Sequence, residues 1–177
     1  MQDWVFRLGL FICYRMSEMF QLIGFEGKGL GAVATQDIKR GTLILKELPQ
    51  ISVKRTNNRN QDINNLKSAF HQMNKINQEE YLSLYCYGFT SKEEKITKFF
   101  QFNKFTQRNF GMPNITEVLY IKGSRFNHSC SANAYFDWNS DKELEIRAMS
   151  KVIKAGQEIT IDYHGMQFIF ISKIVSV

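Results

Sequence analysis

Arg125-Phe126-Asn127-His128-Ser129-Cys130, with Asn133 three positions beyond, is the stretch on which the reading of this chain turns. It sets an amide, an imidazole, a hydroxyl and a thiol side by side. Three chemistries are open to such a cluster. A zinc site takes four ligands, and only His128 and Cys130 are close in sequence, with His71 and His164 isolated, so no metal is expected. A nucleophile, Cys130 or Ser129, would need His128 as its base, but adjacent residues of an extended strand face opposite ways. In the third, Asn127 and His128 hydrogen-bond to backbone in a tight crossing while Cys130 packs inside.

Two further stretches belong with it. Downstream, Glu158-Ile159-Thr160-Ile161-Asp162-Tyr163 reads as an apolar strand ending on a phenol. A buried tyrosine needs a polar partner and can orient or polarise a substrate, or it can be plain core. Upstream lies Gly27-Lys28-Gly29-Leu30-Gly31. Its spacing is not Gly-x-Gly-x-x-Gly, no helix start follows, and no Gly-Lys-Ser/Thr is present, so neither a dinucleotide fold nor a P-loop is indicated. Glycines here permit close approach of backbone to a ligand, or simply a turn.

Composition sets the frame. The 177 residues are 44% apolar and 23% charged, enough for a globular core. Aromatics reach 14%, with 15 Phe, which leaves some rings to line a pocket. Net charge is +6, but Lys and Arg are scattered with no basic run, so direct nucleic-acid binding is not expected; an acidic protein partner fits as well. Cys13, Cys86 and Cys130 are widely spaced with no C-x-x-C, which supports neither a zinc module nor a disulfide framework and points to a reducing, intracellular compartment, nucleus or cytoplasm. No run of eighteen apolar residues occurs, so no spanning helix and no membrane partner are expected. Asp3 and a Cys-Tyr-Arg flank do not suit a signal peptide, so residues 1–19 are expected as an N-terminal extension, with Met16 a possible start.

Residues 20–53 read as strands, including Thr42–Glu47, with a turn at Asp37–Gly41. From 60 to 102 the period becomes helical. Asp62 is expected to cap the first helix, Asn77 the second, which would end at Gly88, and Ser91 the third. After Gly111-Met112-Pro113, Ala134–Trp138 and Leu144–Ala148 predict a hairpin across Asn139-Ser140-Asp141, and Lys154-Ala155-Gly156 another turn. The fold class is mainly β with a helical insert, α+β.

Taken together, Lys28-Gly29-x-Gly31-x-x-Ala34, Asp37-Ile38-x-x-Gly41, Asn127-His128-Ser129-Cys130-x-x-Asn133 and Gly156-x-Glu158-Ile159-x-x-Asp162-Tyr163 resemble the SET domain of protein lysine methyltransferases. Tyr81-Leu82-Ser83-Leu84, Phe102-Asn103-x-Phe105 and Leu119-Tyr120 resemble its split branch, the SET-and-MYND type and its short fungal relatives, in which a helical insert divides the domain. The resemblance implies a SET domain over 20–165, interrupted by 60–102, with a β-clip-like fold of small sheets and a knot-like crossing of the 124–130 and 158–163 strands.

It also implies methyl transfer from S-adenosyl-L-methionine to a lysine amine of a protein, histone or non-histone. Lys28, Gly29 and Leu30 would lie against the cofactor, and Asn103, Asn127 and His128 would hold its ends. Tyr163 would be the catalytic tyrosine and also touch the cofactor; Tyr120 and Phe168 would wall the lysine channel. Two positions depart from the family pattern. Ala132 stands where proline is usual, and the cysteines of the family's post-SET segment do not follow Tyr163, nor does a MYND finger occur. Residues 166–177 are therefore expected as a truncated or atypical tail, and a partner or dimer could complete the channel. The alternatives to that function are a catalytically weak or inactive SET module that serves as a protein-binding adaptor and, third, a basic nucleic-acid-associated adaptor.

Overall fold

The computed structural model describes residues 14–15, 19–88, 91–108 and 115–163. The expectations for the N-terminal extension before 14, for Gly111-Met112-Pro113 and for the 166–177 tail, Phe168 included, lie outside the described residues. Thirteen short strands and three helices make up the rest, mainly β with α, in small sheets. The chain divides into two compact units, one from Glu47–Ser124 and the other from the described residues before and after it.

The first unit starts with β1 (Tyr14–Arg15), β2 (Phe20–Phe25) and β3 (Gly29–Ala34), an antiparallel sheet in which Phe25 pairs with Gly29 and Phe20 with Ala34. Then come β4 (Ile38–Lys39) and β5 (Leu43–Glu47), whose last residue begins the other unit.

The second unit opens with β6 (Ile51–Lys54), followed by α1 (Arg59–Gln72), α2 (Lys75–Leu82) and α3 (Lys92–Asn103). It closes with β7 (Phe105–Arg108) and β8 (Ile115–Leu119), which form a sheet of order β6-β8-β7. Its core joins Ile51 and Val53 of the sheet to Leu66 and Phe70 of α1, Tyr81 of α2 and Ile96, Phe99 and Phe100 of α3. Tyr81 is fully buried, so its hydroxyl needs a partner and donates to the Ile96 carbonyl at 2.5 Å, while its ring meets Phe70 edge-on. Burial pushes that phenol's pKa up.

Helix starts correct two of the sequence expectations. Asn58, not Asp62, caps α1: its side chain accepts from the Asn60 and Gln61 amides, whereas Asp62 reaches back to the Thr56 amide and hydroxyl. Asn74, not Asn77, caps α2 by accepting the Asn77 N–H at 2.8 Å. In both cases an asparagine a few residues earlier wins because the helix begins sooner than its apolar period suggests. The second helix also ends at Leu82 rather than near Gly88. Ser91 caps α3 as expected, accepting from Glu94.

After the second unit the chain returns to the first, with β9 (Asn127–His128), β10 (Ala134–Trp138), β11 (Leu144–Ala148), β12 (Val152–Ile153) and β13 (Thr160–Ile161). The hairpin β10–β11 has the predicted bounds, Ala134 against Ala148 and Trp138 against Leu144, and β5 lies beside β11. Alternation along it buries Ala134, Phe136, Leu144, Ile146 and Ala148. The strand expected from Glu158 to Tyr163 is shorter: β13 pairs in parallel with β9, Thr160 against Asn127 and Ile161 against His128, and Glu158 bridges to Val33.

Two-residue parallel strands make few ladder bonds, and a side chain supplies more. Asn133 is 8% exposed; its Nδ2 donates to the Glu158 carbonyl at 2.8 Å and its Oδ1 accepts the Thr160 N–H at 2.9 Å. Its own carbonyl accepts from the Met149 and Ser150 amides. Asn133→Ala strands two backbone groups and is expected to lower stability by about 1–3 kcal/mol, read as a lower urea midpoint with unchanged slope.

Candidate functional site

The glycine-rich stretch forms the turn between β2 and β3. Lys28 N–H donates to the Phe25 carbonyl at 3.2 Å, closing the turn. Gly27 and Gly29 take φ of +73° and +76°, the left-handed region that a side chain resists. Lys28 is exposed and Gly29 and Leu30 half-buried, so this segment offers its main chain at the surface. Gly31, the next residue, is buried for another reason. A Cβ there would sit 2.5 Å from Asn127 Nδ2, 2.8 Å from the Phe25 ring and 2.9 Å from Glu158 Oε1.

Asn127 thus packs onto the floor of β3. Its Nδ2 donates to Glu158 Oε1 at 2.7 Å, and Lys28 Nζ stands 4.0 Å from the other oxygen of that carboxylate. An ionised carboxylate only accepts, so the amide's orientation is settled: nitrogen toward Glu158, oxygen away from it. That oxygen accepts no hydrogen bond among the described residues. Glu158 was part of the sequence pattern but was not expected as a site residue; its spacing to Asn127 along the chain gives no hint of the contact.

His128 and Tyr163 complete the cluster. The backbone N–H of Tyr163 donates to His128 Nδ1 at 3.2 Å, which leaves the proton of the neutral ring on Nε2. Nε2 faces Cys130 Sγ at 3.3 Å, and the Asp162 carboxylate is 3.7 Å from Nδ1. Cys130 is exposed, a correction to the expectation that it packs inside; residues two apart share a face, which sets it beside the imidazole. Tyr163 is not plain core either, being 53% exposed. Its hydroxyl end is nonetheless turned inward, donating to the Phe126 carbonyl at 3.0 Å, and burial pushes its pKa up. Phe126 is fully buried, edge-on to Phe20 at 5.2 Å, so the acceptor for that phenol is held on the core.

Lys28, Gly29, Leu30, Asn127, His128 and Tyr163 thus all belong to one unit. Asn103 and Tyr120 belong to the other. Asn103 ends α3 and donates from Nδ2 to the Tyr85 and Phe99 carbonyls at 2.9 and 2.8 Å. Tyr120 is fully buried; its hydroxyl accepts from Gln107 at 3.0 Å and its ring meets Phe105 edge-on. In the same unit the Glu47 carboxylate accepts the Lys122 and Gly123 amides, and burial pushes its pKa up. Among the described residues no three His, Cys, Asp or Glu side chains converge as metal ligands, and no helix is long and apolar enough to cross a membrane.

Two glycine substitutions separate close packing from backbone strain. Gly31→Ala drives a methyl into Asn127 and Glu158 and is expected to cost about 1–3 kcal/mol in denaturant unfolding and to displace the Asn127 side-chain amide resonances. Gly27→Ala meets nothing within 4 Å and carries only the strain of its positive φ, about 1 kcal/mol, with the Asn127 resonances unmoved.

The SET domain family profile matches residues 29–164. A SET domain-containing protein of Acanthamoeba polyphaga mimivirus is 32% identical over 181 residues, covering 84% of this chain and 67% of its own length. The histone-lysine N-methyltransferase set5 of Schizosaccharomyces pombe is 26% identical over 147 residues, covering 83% of this chain and 42% of its own length, so the chain spans less than half of that relative. A crystal structure of the Plasmodium falciparum protein PFL0690c aligns with 86% of this chain and 99% of its own at 18% identity and a TM-score of 0.42. A family match that runs from the β3 glycines through Asn127 and His128 to Tyr163 covers well over half of the residues, and the chain belongs to the SET-domain family.

Proposed function

We propose that this chain transfers a methyl group from S-adenosyl-L-methionine to the side-chain amine of a lysine in a protein substrate. The observation that carries this reading is Tyr163, its hydroxyl held by the Phe126 carbonyl and its backbone N–H by His128, the residue that follows Asn127 in β9. Membership in the SET-domain family and a relative named as a histone-lysine methyltransferase support the reaction class.

The residues present fit the cofactor. Lys28, Gly29 and Leu30 offer main chain at the surface, where a peptide-like amino-acid group could lie, and the Asn127 oxygen is an acceptor suited to an ammonium. His128 is held in one tautomer with both nitrogens engaged, so its part is to shape and orient rather than to shuttle protons. When bound, the cofactor supplies an electrophilic methyl on a sulfonium sulfur.

The Tyr163 hydroxyl donates to the Phe126 carbonyl, and burial pushes its pKa further above the ordinary phenol value. With its proton committed to that carbonyl, the phenol oxygen keeps its lone pairs for a second partner. That arrangement favours polarised C–H groups and positive charge through weak C–H···O contacts, with the ring face contributing in the same sense. Alignment and electrostatics, not acid–base catalysis, are what these groups provide. A lysine amine must shed its proton before it attacks, and entry into an apolar channel lowers its pKa.

Tyr163→Phe is expected to leave S-adenosylmethionine affinity within a factor of about two while turnover falls by about a hundredfold or more, because the lost oxygen acts chiefly on the transition state. Asn127→Ala is expected to weaken cofactor binding in calorimetric titration. Incubation with labelled cofactor and histones or whole-lysate protein tests the reaction itself. Undiminished turnover in Tyr163→Phe would remove the tyrosine from the mechanism, and neither binding nor label transfer by the wild type would leave a protein-binding SET module.

A further inference from the structure

The geometry points to Glu158 as a positioning residue for the cofactor's amino-acid end, acting through Asn127, with Gly31 making the room. This inference rests on the cofactor reading above. An asparagine amide is ambivalent: either end could face a ligand, and a wrong rotation would turn an NH₂ toward a cation. Here the choice is made from behind. Glu158 Oε1 takes Asn127 Nδ2 at 2.7 Å, a charge-assisted bond, and a carboxylate cannot accept the amide in the opposite sense.

The lock is built into the fold at both ends. Glu158 is anchored through its main chain, with its carbonyl accepting from Asn133 and the next residue, Ile159, donating to the Ala32 carbonyl at 2.7 Å. Asn127 is anchored by the parallel pairing of β9 with β13. Both side chains crowd the space where Gly31 would carry a Cβ, so the amide cannot swing toward β3. The carboxylate also acts on the outward oxygen. Donation from Nδ2 to a negative acceptor polarises the amide, making Oδ1 a stronger acceptor, and the charge behind it favours a cation in front. Lys28 offsets that charge only weakly, with its side chain 57% exposed and its ammonium 4.0 Å away. The ligand group selected is therefore an ammonium, such as the α-amino group of the cofactor, rather than a carboxylate.

The test is a double-mutant cycle on the full chain. Calorimetry with S-adenosylhomocysteine, which carries the α-amino acid, is run for wild type, Glu158→Gln, Asn127→Ala and the double variant. Glu158→Gln keeps size and shape but can donate or accept, so it frees the amide to flip. It is expected to weaken binding about tenfold, and that loss is expected to vanish in the Asn127→Ala background. Binding of 5′-methylthioadenosine, which lacks the amino-acid portion, is expected to be equal in wild type and Glu158→Gln. Thermal unfolding of each variant reports fold integrity independently. If wild type binds S-adenosylhomocysteine and Glu158→Gln binds it equally, or the same loss persists without Asn127, the positioning role is overturned while the cofactor reading stands. If wild type does not bind S-adenosylhomocysteine, the cofactor reading fails, and the positioning role with it.

Discussion

Asn133 uses both ends of its amide on one neighbouring strand, donating to the Glu158 carbonyl and accepting the Thr160 amide, and the geometry around Tyr163 depends on that contact. The parallel pair β9–β13 is only two residues long on each side, too short to hold its own register. With Asn133 in place, Thr160 faces Asn127 and Ile161 faces His128, and Ser129 N–H closes the pair onto the Ile161 carbonyl at 3.1 Å. A slip of one residue would turn Glu158 away from Asn127 and Tyr163 away from Phe126.

Buried main chain rather than side-chain mass supports the site. Phe126 contributes its ring to the core and its carbonyl to the Tyr163 phenol. Gly31 contributes nothing except vacant space, which Asn127 and Glu158 fill. The Tyr163 amide sets the tautomer of His128, and the imidazole in turn faces Cys130. Each polar group is thereby held by an element that has another reason to be there.

Much of this was legible in the residues. The β10–β11 hairpin follows from alternation on either side of an Asn-Ser-Asp turn, and α3 follows from Ser91 with Glu93 and Glu94 behind it. Cap assignment was less legible at Asn58 and Asn74, because a chain rich in asparagine offers several candidate caps within one turn and only the helix's true start selects among them. Cys130 misled for a related reason: its burial depended on which way the chain turned after β9, and two residues of strand carry no periodicity from which to read that.

By itself, the sequence determined the family and which residues to watch. Glycines at 29 and 31, Asn127-His128 and then Tyr163 are chemical types in a fixed order, and local strand and turn preferences follow from them. Only the tertiary structure decided what those residues do to one another. That Glu158 holds Asn127 across thirty-one positions, that Phe126 accepts from Tyr163, and that Gly31 is empty so that an amide can pass are facts about strands brought together from distant parts of the chain. Hydrogen-bond direction and close packing arise only where such strands meet, and no local pattern of residues encodes the meeting.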